Sequence, residues 1–156
     1  MAEKHFRLCL VDENNRPIGN CGFDKHWNFI NGFAVININN KENFINQDGN
    51  ILSEQWFDDC WDFHEGFGRV KLDYKWNFIN QDGKFLSKQW FHGCNDFNEG
   101  FARVQLNGKY NFINQDGKLL TNQWFDWCWH FHEGFSEVRL NGKIYNIDKN
   151  GILTKK

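Results

Sequence analysis

One sentence of 34 residues, said several times over, restricts this chain more than any other feature. Residues 75–108 read KWNFINQDGKFLSKQWFHGCNDFNEGFARVQLNG, and residues 41–74 match them at 22 of 34 positions without a gap. Asn-Phe-Ile-Asn-Gln-Asp-Gly begins at Asn43, Asn77 and Asn111, Gln-Trp-Phe begins at Gln55, Gln89 and Gln123, and Cys60, Cys94 and Cys128 keep the same step. Self-similarity of this kind defines a tandem array, in which each copy buries its apolar face against its neighbours. Carried both ways, the register gives a diverged first copy at 7–40 after a short leader. Close copies follow at 41–74, 75–108 and 109–142, with a partial fifth at 143–156. The whole chain, 1–156, reads as one repeat domain.

Inside a copy the signals are those of β-structure. Residues 101–106 alternate apolar with polar and meet Asn107-Gly108, the strongest short hairpin signal because both residues tolerate positive φ. Residues 109–113 return, Asn114-Gln115-Asp116-Gly117 turns again, and 118–120 open a third short strand. The prediction is a three-stranded meander per copy. The connector, 124–135, reads differently. Trp124, Phe125, Cys128, Phe131, Gly134 and Phe135 recur at steps of three and four, which predicts a helical or 3₁₀ turn ended by Gly134.

Rings must fill the core. Seventeen Phe, eight Trp and three Tyr make up 18% of the 156 residues, and each buried ring withdraws roughly 150–250 Å² from water. A net charge of −2 gives no field that would favour nucleic acid or an anionic membrane. No stretch is apolar for the length of a membrane span, and the N-terminus lacks the apolar run of a signal peptide. Five cysteines, three of them at one repeat position, favour reduced thiols over a disulfide framework. Those features predict a cytoplasmic protein.

The run Lys75-Trp76-Asn77-Phe78-Ile79-Asn80, then Asp82-Gly83, Phe97, Glu99-Gly100-Phe101 and Val104, resembles the bacterial WG-containing repeat family, also called KWG repeats. The family pattern carries Gly where this chain has Asn43, Asn77 and Asn111. Asn is the non-Gly residue that best tolerates positive φ, so the exchange predicts a left-handed backbone there. The resemblance implies a β-rich, non-catalytic repeat module and supplies no substrate.

Positions identical in every copy are those that stacking requires; positions that vary are free to recognise something. The Trp56/Trp90/Trp124, Phe57/Phe91/Phe125, Phe63/Phe97/Phe131 and Phe67/Phe101/Phe135 ladders belong to the first group and read as core. Cys60, Cys94 and Cys128 lie one copy apart along the array rather than converging on one ion, so they read as small buried hydrophobes and no metal site is expected. No nucleophile motif, phosphate-cradling glycine loop or His-x-x-x-His occurs, so the expectation is a non-enzyme with no cofactor.

The variable group supplies the candidates for binding. Trp27, Trp61 and Trp129 share one ladder with Asn95, and Trp127 shares another with Lys25, Asp59 and Gly93. Asp58 and Asp126 sit beside them, His64 and His132 stand before the Glu-Gly pairs, and Arg69 and Arg103 form a sparse basic set. Exposed Trp marks recognition; the alternative is that these rings cover the neighbouring copy. The reading is an all-β protein of tandem 34-residue β-meander repeats stacked as an open curved array, with a small closed propeller-like ring as the alternative. Its expected function is a non-enzymatic scaffold for an unknown partner protein, alternatively a binder of a small sugar or nucleotide-type ligand; nucleic acid is disfavoured.

Overall fold

The computed structural model describes residues 25–26 and 28–156. The leader, the opening of the first copy and Trp27 lie outside the described residues. Strands follow one another in the order β1 (Lys25–His26), β2 (Phe33–Ile38), β3 (Lys41–Asn46), β4 (Asp59–His64), β5 (Phe67–Leu72), β6 (Lys75–Asn80), β7 (Gly93–Cys94), β8 (Phe101–Leu106), β9 (Lys109–Asn114), β10 (Trp127–Cys128), β11 (Phe135–Leu140), β12 (Lys143–Asp148) and β13 (Leu153–Lys155). No helix occurs among the described residues. The chain is all-β, its tandem copies built as small antiparallel sheets.

Two compact units divide these strands. One runs up to Asp73 and adds Ile79–Lys84; the other comprises Tyr74–Phe78 and Phe85–Lys156. The first holds the sheet β1-β2-β3 and the pair β4-β5, and the second holds β7-β8-β9 and β10-β11-β12-β13.

Each long hairpin closes through two residues that both have positive φ: Asn107-Gly108 at 50° and 77°, Asn141-Gly142 at 49° and 76°, Asn39-Asn40 at 52° and 61°. This mirror-image turn matches the twist of the flanking strands. Along β8 the side chains alternate, with Ala102 and Val104 buried and Arg103 and Gln105 facing outward. In the second unit Phe112, Phe125, Cys128, Phe131, Val138 and Ile147 make one buried cluster. Phe131 is its centre, with Phe112 edge-on at 4.8 Å and Phe101 of the preceding copy stacked at 4.8 Å. In the first unit Phe63 likewise takes Phe44 edge-on at 4.9 Å and Phe33 stacked at 4.1 Å.

The connector is extended, not helical. Cys60 and Phe63 are both buried although they stand three positions apart, and a β-bulge between Trp61 and His64 supplies the extra residue. A bulged strand therefore produces the three-residue apolar spacing that a helix would also produce. The segment ends in a second tight turn, where His132 N donates to Phe135 O at 2.8 Å across Glu133-Gly134, at φ 51° and 85°. This connector is the first strand of each sheet. The strand expected at 118–120 shrinks to one bridge, Ile113 with Leu119, and a hydrogen bond from Leu120 N to Phe112 O.

Three further expectations are corrected. Asn43, Asn77 and Asn111 do not have positive φ; they lie within strands and are 0% exposed. Each amide nitrogen donates across the loop that follows, to Ser53 O, Ser87 O and Thr121 O at 2.8 Å, and each Oδ1 accepts the next N–H, of Phe44, Phe78 and Phe112. Trp56, Trp90 and Trp124 are half-buried beside those loops rather than deep in the core. Phe135 is 54% exposed, unlike the half-buried Phe67 and Phe101 that precede it in its ladder.

Glycine is required twice over in the Asn-Gln-Asp-Gly turn. Gly117 has φ 77°, and a Cβ there would meet Leu86 O of the preceding copy at 2.2 Å. Tyr74 breaks the pattern of the long hairpins. It stands at φ 64° where the later copies have Gly108 and Gly142, and its ring is 87% exposed. Left-handed backbone costs an L-residue roughly 1–2 kcal/mol, and no burial of the ring offsets it. Tyr74→Gly is therefore expected to stabilise the protein by on the order of 1 kcal/mol in urea unfolding; unchanged or lowered stability would mean that the ring makes a compensating contact.

Candidate functional site

The outward sheet face collects the positions that vary between copies. In the second unit, pairing of Trp127 with Arg139 and of Cys128 with Val138 sends the thiol inward and the indole outward. Trp127 and Trp129 meet edge to face with centroids 4.9 Å apart, His130 stands 5.9 Å beyond, and Trp129 is 53% exposed. Trp127, Glu137, Val138, Arg139 and Ile144 line a cavity of about 310 Å³. That lining joins an aromatic wall to one carboxylate and one guanidinium.

In the first unit Trp61 is 49% exposed, the Arg69 guanidinium lies 4.6 Å above its ring, and its indole N–H donates to Asp59 at 3.2 Å. Such a cation on an exposed ring contributes roughly 0.5–1 kcal/mol and holds the indole in place. Val35, Glu42, Asp59, Cys60, Trp61 and Asp62 surround a smaller cavity of about 210 Å³. Glu42 accepts from Cys60 N at 2.7 Å, and burial raises its carboxyl above the ordinary value of 4.5.

Several expected binding residues hold the fold. Asp58 pairs with Lys41 and accepts from Asp73 N at 2.8 Å, which keeps its carboxyl below the ordinary range. Asp126 pairs with Lys109, which with the N–H groups of Gly142 and Asn141 lowers its carboxyl in the same way. At the equivalent position His92 Nδ1 accepts from Asn107 N at 3.2 Å, so this ladder caps the long hairpins. Arg103 is a strut: it donates to Asn95 Oδ1 through Nε and Nη2 and to Cys128 O through Nη1 at 2.8 Å. His64 and His132 are exposed before their Glu-Gly turns, with His132 Nε2 4.0 Å from Glu133.

Burial pushes the Cys60 thiol up, and the Cys128 thiol up to about 12, so neither is a thiolate at neutral pH. Among the described residues no three His, Cys, Asp or Glu side chains converge in a way that would hold a metal ion. Nor is any helix among them long and apolar enough to cross a membrane.

One ladder on this face escapes a reading focused on Trp. Glu42, Trp76, Tyr110 and Ile144 occupy one repeat position with four different chemistries, and three of them border the contacts described above: Glu42 and Ile144 line cavities, and Tyr110 lies 5.4 Å beneath Arg103. Comparing copies position by position, rather than by residue type, would have found it.

The sequence pattern of the WG containing repeat family matches residues 10–41, 44–76, 78–110 and 112–143. The chain belongs to that family. No curated protein matches it. Among solved structures it is similar to KlHsv2 with loop 6CD replaced by a Gly-Ser linker, at 10% identity and a TM-score of 0.45, over 78% of this chain and 46% of that one. Kluyveromyces lactis Hsv2p gives 11% identity and a TM-score of 0.43, over 80% and 46%. A protein of unknown function from Bacteroides caccae gives 11% and 0.33, over 97% and 74%. The chain thus spans about half the length of the Hsv2 structures it matches.

Glu42 provides a pH test of this geometry. Its folded pKa is raised, so its contribution to stability is full below 4.5 and is lost as pH rises through the higher folded value. Glu42→Gln keeps an acceptor for Cys60 N without the charge. It is expected to raise the urea midpoint at neutral pH and to leave it unchanged below about pH 4; an equal effect at both pH values would show that burial of the charge is not the cause.

Proposed function

We propose that this protein is a non-catalytic binding module that recognises a partner protein through its outward Trp-bearing sheet faces. The observation that carries the reading is Trp129, 53% exposed directly after β10 and braced edge-on by Trp127. Rigid, half-exposed indoles are the side chains on which interfaces concentrate their binding energy. Trp61, held by Arg69 and Asp59, forms a patch of the same kind in the first unit. Between copies these faces change residue while the buried Phe ladders at 57/91/125 and 63/97/131 do not, as expected where selection on contact and selection on folding act on different positions.

A second reading has its own support. The cavity of about 310 Å³ beside Trp127 reaches the lower end of the size range of small-ligand sites, and Arg139 and Glu137 supply polar contacts there. A sugar or nucleotide-type molecule stacked on the indole fits that chemistry.

Replacing Trp61 and Trp129 together with Ala should leave the unfolding free energy within ~0.5 kcal/mol of the parent, as for surface residues. Capture of a polypeptide from host lysate should be lost in the same variant. Unfolding of the variant would place both rings in the core and defeat the proposal. A saturable calorimetric response to a sugar or nucleotide, abolished by Trp127→Ala, would instead establish the second reading.

A further inference from the structure

We infer a further binding site, in a groove where the third copy meets the fourth, whose ligand is a small aromatic carboxylate. Leu86, Phe91 and Leu106 of the third copy and Ile113, Leu119 and Trp124 of the fourth wall a cavity of about 490 Å³, within the size range of small-ligand sites. All of them belong to the second unit, and none lines the cavities beside Trp61 and Trp127. The floor is fixed. Phe91 and Ile113 are buried, and the Gly117 backbone approaches Leu86 O so closely that a Cβ there would come within 2.2 Å of it.

One exchange between copies opens the groove to a ring. In the third copy Phe85 packs edge-on against Trp90, with centroids 5.3 Å apart. One repeat further on, Leu119 stands for Phe85 and Trp124 for Trp90. Leucine supplies no ring there, and the half-buried Trp124 forms part of the cavity wall instead. A flat ligand set against Trp124 restores the pair that Phe85 makes with Trp90, and aromatic pairs contribute beyond the area they bury.

The polar groups of the groove select an anion. Lys88 is the one charged residue lining it; its side chain is exposed and has no ion-pair or hydrogen-bond partner among the described residues. Ser87 Oγ accepts from Gln89 N at 3.0 Å, which leaves its O–H to donate. The Gln89 amide is engaged on Trp90 O at 2.6 Å. In the three close copies the hydroxyl recurs as Ser53, Ser87 and Thr121 and the amide as Gln55, Gln89 and Gln123, but the residue between them runs Glu54, Lys88, Asn122. The joint of third and fourth copies is thus the one with a cation at this position. A carboxylate pairs with Lys88 and Ser87 while the ring it carries covers Trp124.

Calorimetry and two-dimensional NMR with cinnamate test this, with cinnamamide as the same ring without the charge and octanoate as the charge without a ring. Cinnamate should saturate the protein with a Kd below ~1 mM and shift the Gly117 and Leu119 amides and the Trp124 indole N–H. Both controls should bind at least ~5-fold more weakly. Lys88→Gln, an exposed change that spares the core, should weaken cinnamate by ~5-fold, the upper scale of an exposed ion pair, and leave the urea midpoint unchanged. Leu119→Phe fills the groove with the residue that the preceding copy carries, so it should abolish binding without loss of stability. Absence of saturable binding, shifts confined to other amides, equal binding of either control, or undiminished binding by Lys88→Gln or Leu119→Phe would each overturn the inference.

Discussion

A buried asparagine holds each of the three close copies together. Asn43, Asn77 and Asn111 sit with no exposure on the second strand of a hairpin, where an unpaired amide would cost roughly 1–3 kcal/mol. Every polar atom of that side chain has work in the fold. The nitrogen reaches a carbonyl ten residues ahead, at Ser53, Ser87 or Thr121, and in two copies also approaches a second, at Gln55 or Gln123. The oxygen takes the N–H of the following Phe, whose ring lies in the core. One residue thus ties the outer strand to the loop leading into the next connector. That loop then brings Phe57, Phe91 or Phe125 back to bridge Glu42, Trp76 or Tyr110.

Copies are joined by means that a single copy could not use. Phe131 needs the ring of Phe101, and the Glu133-Gly134 turn needs the carboxylate of Glu99, which those N–H groups and Lys149 hold below its ordinary range. Gly117 permits a backbone approach to Leu86 that any side chain would block. Aromatic faces, turn amides and one close backbone contact thus form a repeated joint. At Phe135 the ring that would make the same stack is 54% exposed.

Much of this was legible in the residues. The 34-residue step gave the copies, Asn-Gly pairs gave the long hairpins at Asn107 and Asn141, and the invariant Phe ladders at 57/91/125 and 63/97/131 gave the core. The connector was misread because a bulge between Trp61 and His64 imposes on an extended chain the spacing of a helical turn. Asn77 was misread because its side chain, not its φ, is what the position uses. Asp58, Asp126 and Arg103 looked free because Asp73, Lys109 and the Cys128 carbonyl, which help to hold them, lie 15 or more residues away in sequence. Exposure of Phe135 has no signal in the Glu-Gly-Phe run that it shares with Phe101; the packing of copy on copy distinguishes the two.

Native-state hydrogen exchange at the amides of Phe44, Phe78 and Phe112 addresses the asparagine joint most directly, because each is donated to an asparagine Oδ1 buried with it. If the joint holds each copy closed, these three amides exchange only through global unfolding, with the same denaturant dependence as the central strand amides. Exchange as fast as that of the exposed turn amides, such as those of Asp82 and Asp116, would show that the loops open without unfolding and that the asparagine is not what closes them.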